Sequence, residues 1–276
     1  MSRTDLVDLL YLVSFVLFIT VFVLPFIFIL LTAVKNPQES ALLDFSWPTE
    51  WQFVQNVRDV IQERDYLLVT AFINSTIITV VSVTGLVILG AMMAFVLQRR
   101  KNKWTIVINA VILSGLIIPP AVVPTIYVMQ ELSLFKTLHG LILVEIAYGL
   151  AFSVLLFQAF ISTIPRELDD AAVIDGAGPL TLFFRIVLPL LKPIIITVVV
   201  IQTVFVWNDF QSALYFLPGD ENATVQLTLY NFQSQYNTET NLLFMDILLI
   251  TVPPLILFMF FQKRIVAGVT AGSVKG

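Results

Sequence analysis

The chain of 276 residues contains no cysteine and only one histidine, His139. The first absence excludes disulfides, thiolate metal sites and thiol catalysis together. The second excludes a multi-histidine metal centre. Charge is scarce too: charged residues make up 12% of the chain against 58% hydrophobic, and the mean hydropathy is +0.92. A water-soluble domain carries about a quarter charged residues, so the solvent that suits this balance is a lipid bilayer. The net charge of −4 gives no reason to expect nucleic acid as a partner. No glycine is followed by lysine, so there is no G-x-x-x-x-G-K-[ST] loop to cradle nucleotide phosphates. No catalytic residue, metal or cofactor is expected.

What the chain has in plenty is long apolar runs. A helix needs about 20 mainly apolar residues to cross the hydrocarbon core. Six runs qualify: Leu9–Val34, Leu67–Leu97, Trp104–Met129, Gly140–Ser162, Leu190–Phe216 and Leu242–Phe261. The first is too long for a cleaved signal segment and reads as a retained span. The expectation is therefore an all-α polytopic membrane protein with six spans, organised as one domain over 1–276, without internal repeats.

Six spans put both termini on one side. Eleven basic residues (Arg3, Arg99, Arg100, Lys101, Lys103, Arg166, Arg185, Lys192, Lys263, Arg264 and Lys275) share that side, against Lys35, Arg58, Arg64 and Lys136 on the other. The side richer in lysine and arginine is cytoplasmic. The outer loops are acidic. After Trp47-Pro48, Phe53, Val54, Val57, Val60 and Ile61 recur at helical spacing, which predicts a short amphipathic helix capping the outer end of the spans.

The loop between spans four and five, residues 164–193, far exceeds the usual 4–6 residues, yet it reads as ordered. Pro165 suits a first helical turn, and Glu167, Asp169 and Asp170 favour the positive end of a helix dipole. Leu168, Ala171 and Ala172 share a small-residue face. Gly176 and Gly178 stop the helix and Pro179 opens the next. An amphipathic connector and a docking element both fit this pattern.

Asp170-Ala171-Ala172, then Gly176, then Leu188-Pro189 resembles the cytoplasmic-loop hallmark of inner-membrane permeases of binding-protein-dependent ATP-binding cassette importers, in their maltose-permease-like carbohydrate branch. Asp170 stands where that family usually carries glutamate, keeping the charge with a shorter reach. The likeness extends to Phe72-Ile-Asn-Ser75, Pro119-Pro120, Trp207-Asn208-Asp209-Phe210 and the ending Gly268–Gly276. It implies an importer subunit of the bacterial cytoplasmic (inner) membrane that does no covalent chemistry. The partners it implies are a second homologous permease, two ATPase subunits, an external solute-binding protein and a sugar, most readily a di- or oligosaccharide. It further implies that Glu167, Leu168, Asp170, Ala171, Ala172, Asp175, Gly176 and Ala177 form the ATPase-coupling helix.

Acids inside apolar runs suggest a polar pathway or a paired partner, and Glu145, Asp209 and Asp246 are so placed. Asn208 and Asp209, flanked by Trp207 and Phe210, are the candidates for a sugar pathway, with Asn74 and Gln202 beside them. Interhelical hydrogen bonding is the competing reading for each. Pro119, Pro120 and Pro124 are expected to break span three, and Pro253 and Pro254 to break span six. An ion-gradient-driven transporter or channel is the alternative class, but the membrane acids lack basic partners within the spans. A polytopic membrane enzyme would need clustered catalytic groups that the chain does not supply.

Overall fold

The computed structural model describes residues 3–100, 102–233 and 239–273, with side chains described between 7 and 262. Lys101, Lys275 and the end of the Gly268–Gly276 motif lie outside the described residues, as do the side chains of Arg3, Lys263 and Arg264.

The regular elements of the described residues are all helices. Four are long and apolar enough to cross a membrane: Val7–Ala33, Phe53–Arg99, Leu138–Ile161 and Thr240–Gln262. A fifth candidate is the pair Pro179–Leu190 and Lys192–Trp207, bent by 77°. The expected third run divides into Lys103–Ser114 and Val122–Glu131, with Pro119 and Pro120 in the unwound stretch between them. Proline lacks the N–H that would continue the helix and restrains the residue before it. Pro253 and Pro254 act differently from expectation. Helix Thr240–Ser273 runs through both, and the pair does not end it.

By its internal contacts the chain forms two compact units, 1–70 with 227–252, and 71–226 with 253–276. In the first, the short helix after Trp47-Pro48 does form, beginning at Phe53. It ends where Glu63 is extended and Arg64, Asp65 and Tyr66 adopt positive φ of 45, 54 and 63°. This break separates the short helix from the second apolar run, which begins at Leu67. The inward stripe of the helix is Asn56 and Val60, both buried, with Val57 and Ile61 half-buried beside them, whereas Phe53 and Val54 face outward. Asn56 occupies the centre of that stripe because its amide ties off backbone groups. Its Nδ2 donates to the carbonyls of Ala33 (2.8 Å) and Lys35 (2.9 Å), and its Oδ1 accepts from Asn241 Nδ2 at 3.0 Å. The carbonyl of Ala33, an orphan at the end of the first long helix, and that of Lys35 just beyond it are thereby satisfied.

Lys35, read from sequence as an ordinary loop cation, is fully buried. Its ammonium has three donors to satisfy, and it finds three acceptors: Asp44 Oδ1 at 2.7 Å, the Asp44 carbonyl at 2.9 Å and Ser46 Oγ at 3.1 Å. The side chain acts as a peg that folds the following loop back on the helix end.

In the second unit, Phe157, Val154, Ile161, Val187, Leu191 and Val198 are fully buried at the centre of one apolar cluster. Lipid is as apolar as leucine, so helices in a membrane meet through close packing and small residues. Here a Cβ on Gly85 would lie 2.7 Å from Ile146 Cδ1, and one on Gly90 would lie 3.2 Å from Ser153 Cβ. A Cβ on Gly149 would come within 2.8 Å of Leu86 Cδ1. Glycines on both helices thus allow Phe53–Arg99 and Leu138–Ile161 to approach closely.

The loop peg carries a pH signature. Hydrogen bonds from Lys35 and Ser46 lower the Asp44 carboxyl from 3.8 to about 2. Because the folded value lies below the unfolded one, the contribution is fully present above about pH 4 and is lost as pH falls through about 2. We expect proteolytic nicking of loop 36–52 to rise only in that acid window. In Asp44→Asn nicking should already be elevated at neutral pH and flat with pH; an unchanged acid profile in that variant would contradict the assignment.

Candidate functional site

Two features of the second unit bring together the residues singled out in the sequence. The first is the loop helix Glu167–Ile174. Its acids Glu167, Asp169 and Asp170 all lie in the first turn. Gly176 has φ +83°, a conformation L side chains rarely adopt, and no atom lies within 4 Å of a Cβ built on it. The Ala177 N–H donates to the Ala172 carbonyl (2.9 Å) and the Gly176 N–H to the Val173 carbonyl (3.0 Å). This is the paired closure of a Schellman motif. Gly178 then precedes Pro179 at the start of the next helix.

The helix is pinned at its N-terminal end by a reciprocal clasp. Arg99, the last residue of the long helix, places Nε 2.6 Å from Asp169 Oδ2. Its Nη2 donates to the Ile164 carbonyl at 3.2 Å. In return, Arg166 Nη2 donates to the Gln98 carbonyl at 3.1 Å. Asp169, named in the sequence only as a dipole acid, is thus the residue that anchors the loop, whereas Glu167, Asp170 and Asp175 are exposed.

The expected small-residue face is corrected by burial. Ala172 is 5% exposed and belongs to the chain's own apolar cluster with Ile164, Leu182 and Phe183, where Ala177 also packs. The outward apolar surface is made instead by Leu168, Val173, Ile174 and Leu180, of which Ile174 is 85% exposed, together with Ala171.

The second feature is a cavity of about 670 Å³ where helix Leu138–Ile161 contacts helix Lys192–Trp207. Gln202, Asn208 and Asp209 line it, and so do Glu145, Tyr148 and Phe205. Gln202 is buried; its Nε2 donates to the Gly149 carbonyl (3.2 Å) and to Ser153 Oγ (3.0 Å). Asn208 ends its helix by donating Nδ2 to the Val204 carbonyl at 2.8 Å. Asp209 Oδ1 accepts the Ser212 N–H at 3.0 Å, opening helix Gln211–Phe216.

Two expected pathway residues lie elsewhere. Asn74 donates to the Ala223 carbonyl at 3.1 Å, and beside it Ser75 Oγ accepts the Val225 N–H at 3.0 Å. Together they tether the loop at Ala223 and Val225. Trp207 is 6% exposed and packs against Phe72 with ring centroids 5.8 Å apart, so it offers no open face to a sugar. The aromatic walls of the cavity are Tyr148, Phe152 and Phe205. Glu145, which sequence alone left between packing and pathway, turns into the cavity. Its signal was an acid in the middle of an apolar run. Asp246 is fully buried and accepts from Thr228 Oγ1 at 2.8 Å.

With this geometry in place, comparison with known proteins defines the class. Residues 86–271 match the family described as the binding-protein-dependent transport system inner membrane component, and the chain belongs to that family. It is 38% identical over 209 residues to the melibiose/raffinose/stachyose import permease protein MelC of Bacillus subtilis (strain 168), covering 75% of this chain and 76% of that protein. It is 29% identical over 265 residues to the diacetylchitobiose uptake system permease protein NgcG of Streptomyces coelicolor, covering 94% and 86%. A chain from the crystal structure of a bacterial ABC transporter involved in the import of the acidic polysaccharide alginate superposes with a TM-score of 0.81 at 21% identity. The match covers 95% of this chain and 98% of that one. At that identity the likeness establishes the fold.

The glycine contact under the cavity makes a stability prediction. Gly149→Val would press on Leu86 Cδ1 and on Gln202 Oε1, which lies 3.1 Å from the Cβ position. Overpacking of this kind costs about 1–3 kcal/mol, so the detergent-solubilised protein should melt at a lower temperature. Phe205→Ala, on the 67% exposed wall, should leave the melting temperature nearly unchanged. Equal effects of the two would show that the close approach at Gly149 does not hold the helices together.

Proposed function

We propose that this chain is the transmembrane permease subunit of an ATP-driven importer of sugars, most readily di- or oligosaccharides. In this reading it crosses the bacterial cytoplasmic membrane six times with both termini inside, and residues 1–276 work as one permease domain. Lys103–Ser114 with Val122–Glu131, and the bent pair ending at Trp207, supply the two spans beyond the four long helices. The basic residues at Arg99–Lys103 and around the loop helix then face the cytoplasm.

The observation that carries the reading is the loop helix Glu167–Ile174. It is clasped to the long helix by Arg99 and Arg166, closed by a left-handed glycine, and presents Leu168, Val173 and Ile174 outward. A rigid helix with an unpartnered apolar face and exposed acids suits a groove on another protein. The family supplies the kind of protein: a separate ATPase, two copies serving this permease and a second, homologous one. Energy enters through that joint, because the chain carries no phosphate-cradling loop of its own. An external binding protein delivers the sugar, and the cavity at Gln202, Asn208 and Asp209 lies on its route. Relatives named for melibiose, raffinose, stachyose and diacetylchitobiose support the substrate class.

Reconstitution tests the assembly: the chain alone should take up no raffinose, and the complete transporter with its binding protein should do so only with ATP. Uptake by the chain alone, driven by an ion gradient, would replace this reading with the alternative one.

Substitutions test the joint. Gly176→Val meets no neighbour, so its effect is backbone strain alone, roughly 1–2 kcal/mol. It should leave membrane insertion intact while uncoupling ATP hydrolysis from transport. Gly178→Ala, at φ −73° with open space around it, should transport normally. A cysteine introduced as Ile174→Cys should crosslink to the ATPase and resist impermeant thiol reagents applied outside intact cells. Labelling from outside would reverse the orientation, and full coupling in Gly176→Val would reduce the loop to a connector.

A further inference from the structure

The polar groups around the cavity are unevenly matched. Both N–H bonds of the Gln202 amide are engaged by the Gly149 carbonyl and Ser153 Oγ, and one of Asn208 is engaged by the Val204 carbonyl. The remaining polar lining is dominated by acceptors, above all the carboxyls of Glu145 and Asp209, which line the same cavity. Glu145 is only 7% exposed. Among the described residues no lysine, arginine or histidine lines the cavity.

We propose that this cavity selects neutral or positively charged saccharides and excludes anionic ones, with Glu145 and Asp209 as the specificity-determining residues. The inference rests on the reading of the cavity as part of the sugar route and adds the charge class of the substrate. Sugar hydroxyls are donors, and they meet the carboxyl oxygens while the faces of their rings meet Tyr148, Phe152 and Phe205. A substrate carboxylate or phosphate needs charged or N–H donors to replace its hydration. The cavity offers no charged donor and, beyond the second N–H of Asn208, no free amide donor, and it sets like charge opposite the anion in a medium less polar than water. Discrimination arises from repulsion and unmet hydrogen bonding, which reject a wrong ligand more strongly than a change of size does.

The test uses the complete transporter in lipid nanodiscs without its binding protein, so that the permease alone does the selecting. Three labelled trisaccharides serve as probes at physiological salt and mildly acidic pH: maltotriose (neutral), de-N-acetylated chitotriose (cationic) and trigalacturonate (anionic). The anionic probe should bind about tenfold or more weaker than the neutral one, and Glu145→Gln with Asp209→Asn should bring the two within about threefold. Asp209→Asn alone preserves shape and an acceptor for the Ser212 N–H, and it should move the ratio in the same direction if the double variant is unstable. Trigalacturonate binding equal to maltotriose, a ratio unmoved in the variants, or no binding of any probe would overturn the proposal. The importer reading fails by a different measurement, the absence of ATP-dependent saccharide uptake by the same assembly with its binding protein. ATP-driven uptake of trigalacturonate would leave that reading intact and remove this one.

Discussion

Lipid offers two apolar helices no reward for meeting, because each is already in an apolar solvent. The second unit therefore depends on what lets its helices approach closely and on what polar groups can pair once they have. Gly149 serves both needs. Its missing side chain admits Leu86 from the long helix, and its carbonyl receives both the Gln202 amide and the Ser153 hydroxyl. Three helices are thus fixed around one residue by contact and hydrogen bonding together. The cavity lies directly against that junction, so its lining is held on helices whose separation is set.

The loop helix is held on different principles, in keeping with its place at the end of the bundle. Charge anchors one end, through Arg99, Asp169 and Arg166. Backbone closure fixes the other, through Gly176 and Ala177. Between them Ala172 sinks into the apolar cluster and leaves its neighbours outside. A side chain larger than alanine at that position would lift the helix off its seat. The small residue is explained by inward packing, and the outward face is free to be large and apolar.

Much of this was legible in the residues. The long apolar runs, the proline interruption at Pro119-Pro120, the helix after Trp47 and the glycine turn at Gly176 follow from run length, proline chemistry and turn chemistry, which act locally. Facing was harder to read. On a helix that is apolar all round, periodicity does not separate the side that meets lipid from the side that meets protein. Trp207 therefore read as an open aromatic surface and is buried against Phe72, while Glu145 read as ambiguous and lines the cavity. Asn74 was grouped with the pathway by its polarity, but its partner is a carbonyl 149 residues away. Lys35 looked like a solvated loop cation because nothing in sequence shows that Asp44 and Ser46 fold back to it. The inner face of the loop helix was misjudged for the same reason: small size marks a close contact without saying with whom.

The two features of the second unit are joined by one continuous stretch of chain. From Pro179 the backbone runs through Leu182, Phe183 and Val187, which share the apolar cluster with Ala172. It bends by 77° at Leu191 and rises as helix Lys192–Trp207 to Gln202, Asn208 and Asp209. Leu191 is fully buried at that bend, so the corner is packed and not a loose hinge. A 16-residue helix is about 24 Å long; a small tilt at its base becomes a displacement of ångströms at its tip. If the loop helix is the joint with an ATPase, force applied at Ile174 reaches the cavity through this lever. Gln202, Asn208 and Asp209 would then shift against Gly149 and Glu145 on the neighbouring helix. The hydrogen bonds from Gln202 to Gly149 and Ser153 are the interactions such a motion would break first. The residues that line the cavity are thus the ones through which a mechanical input would open it.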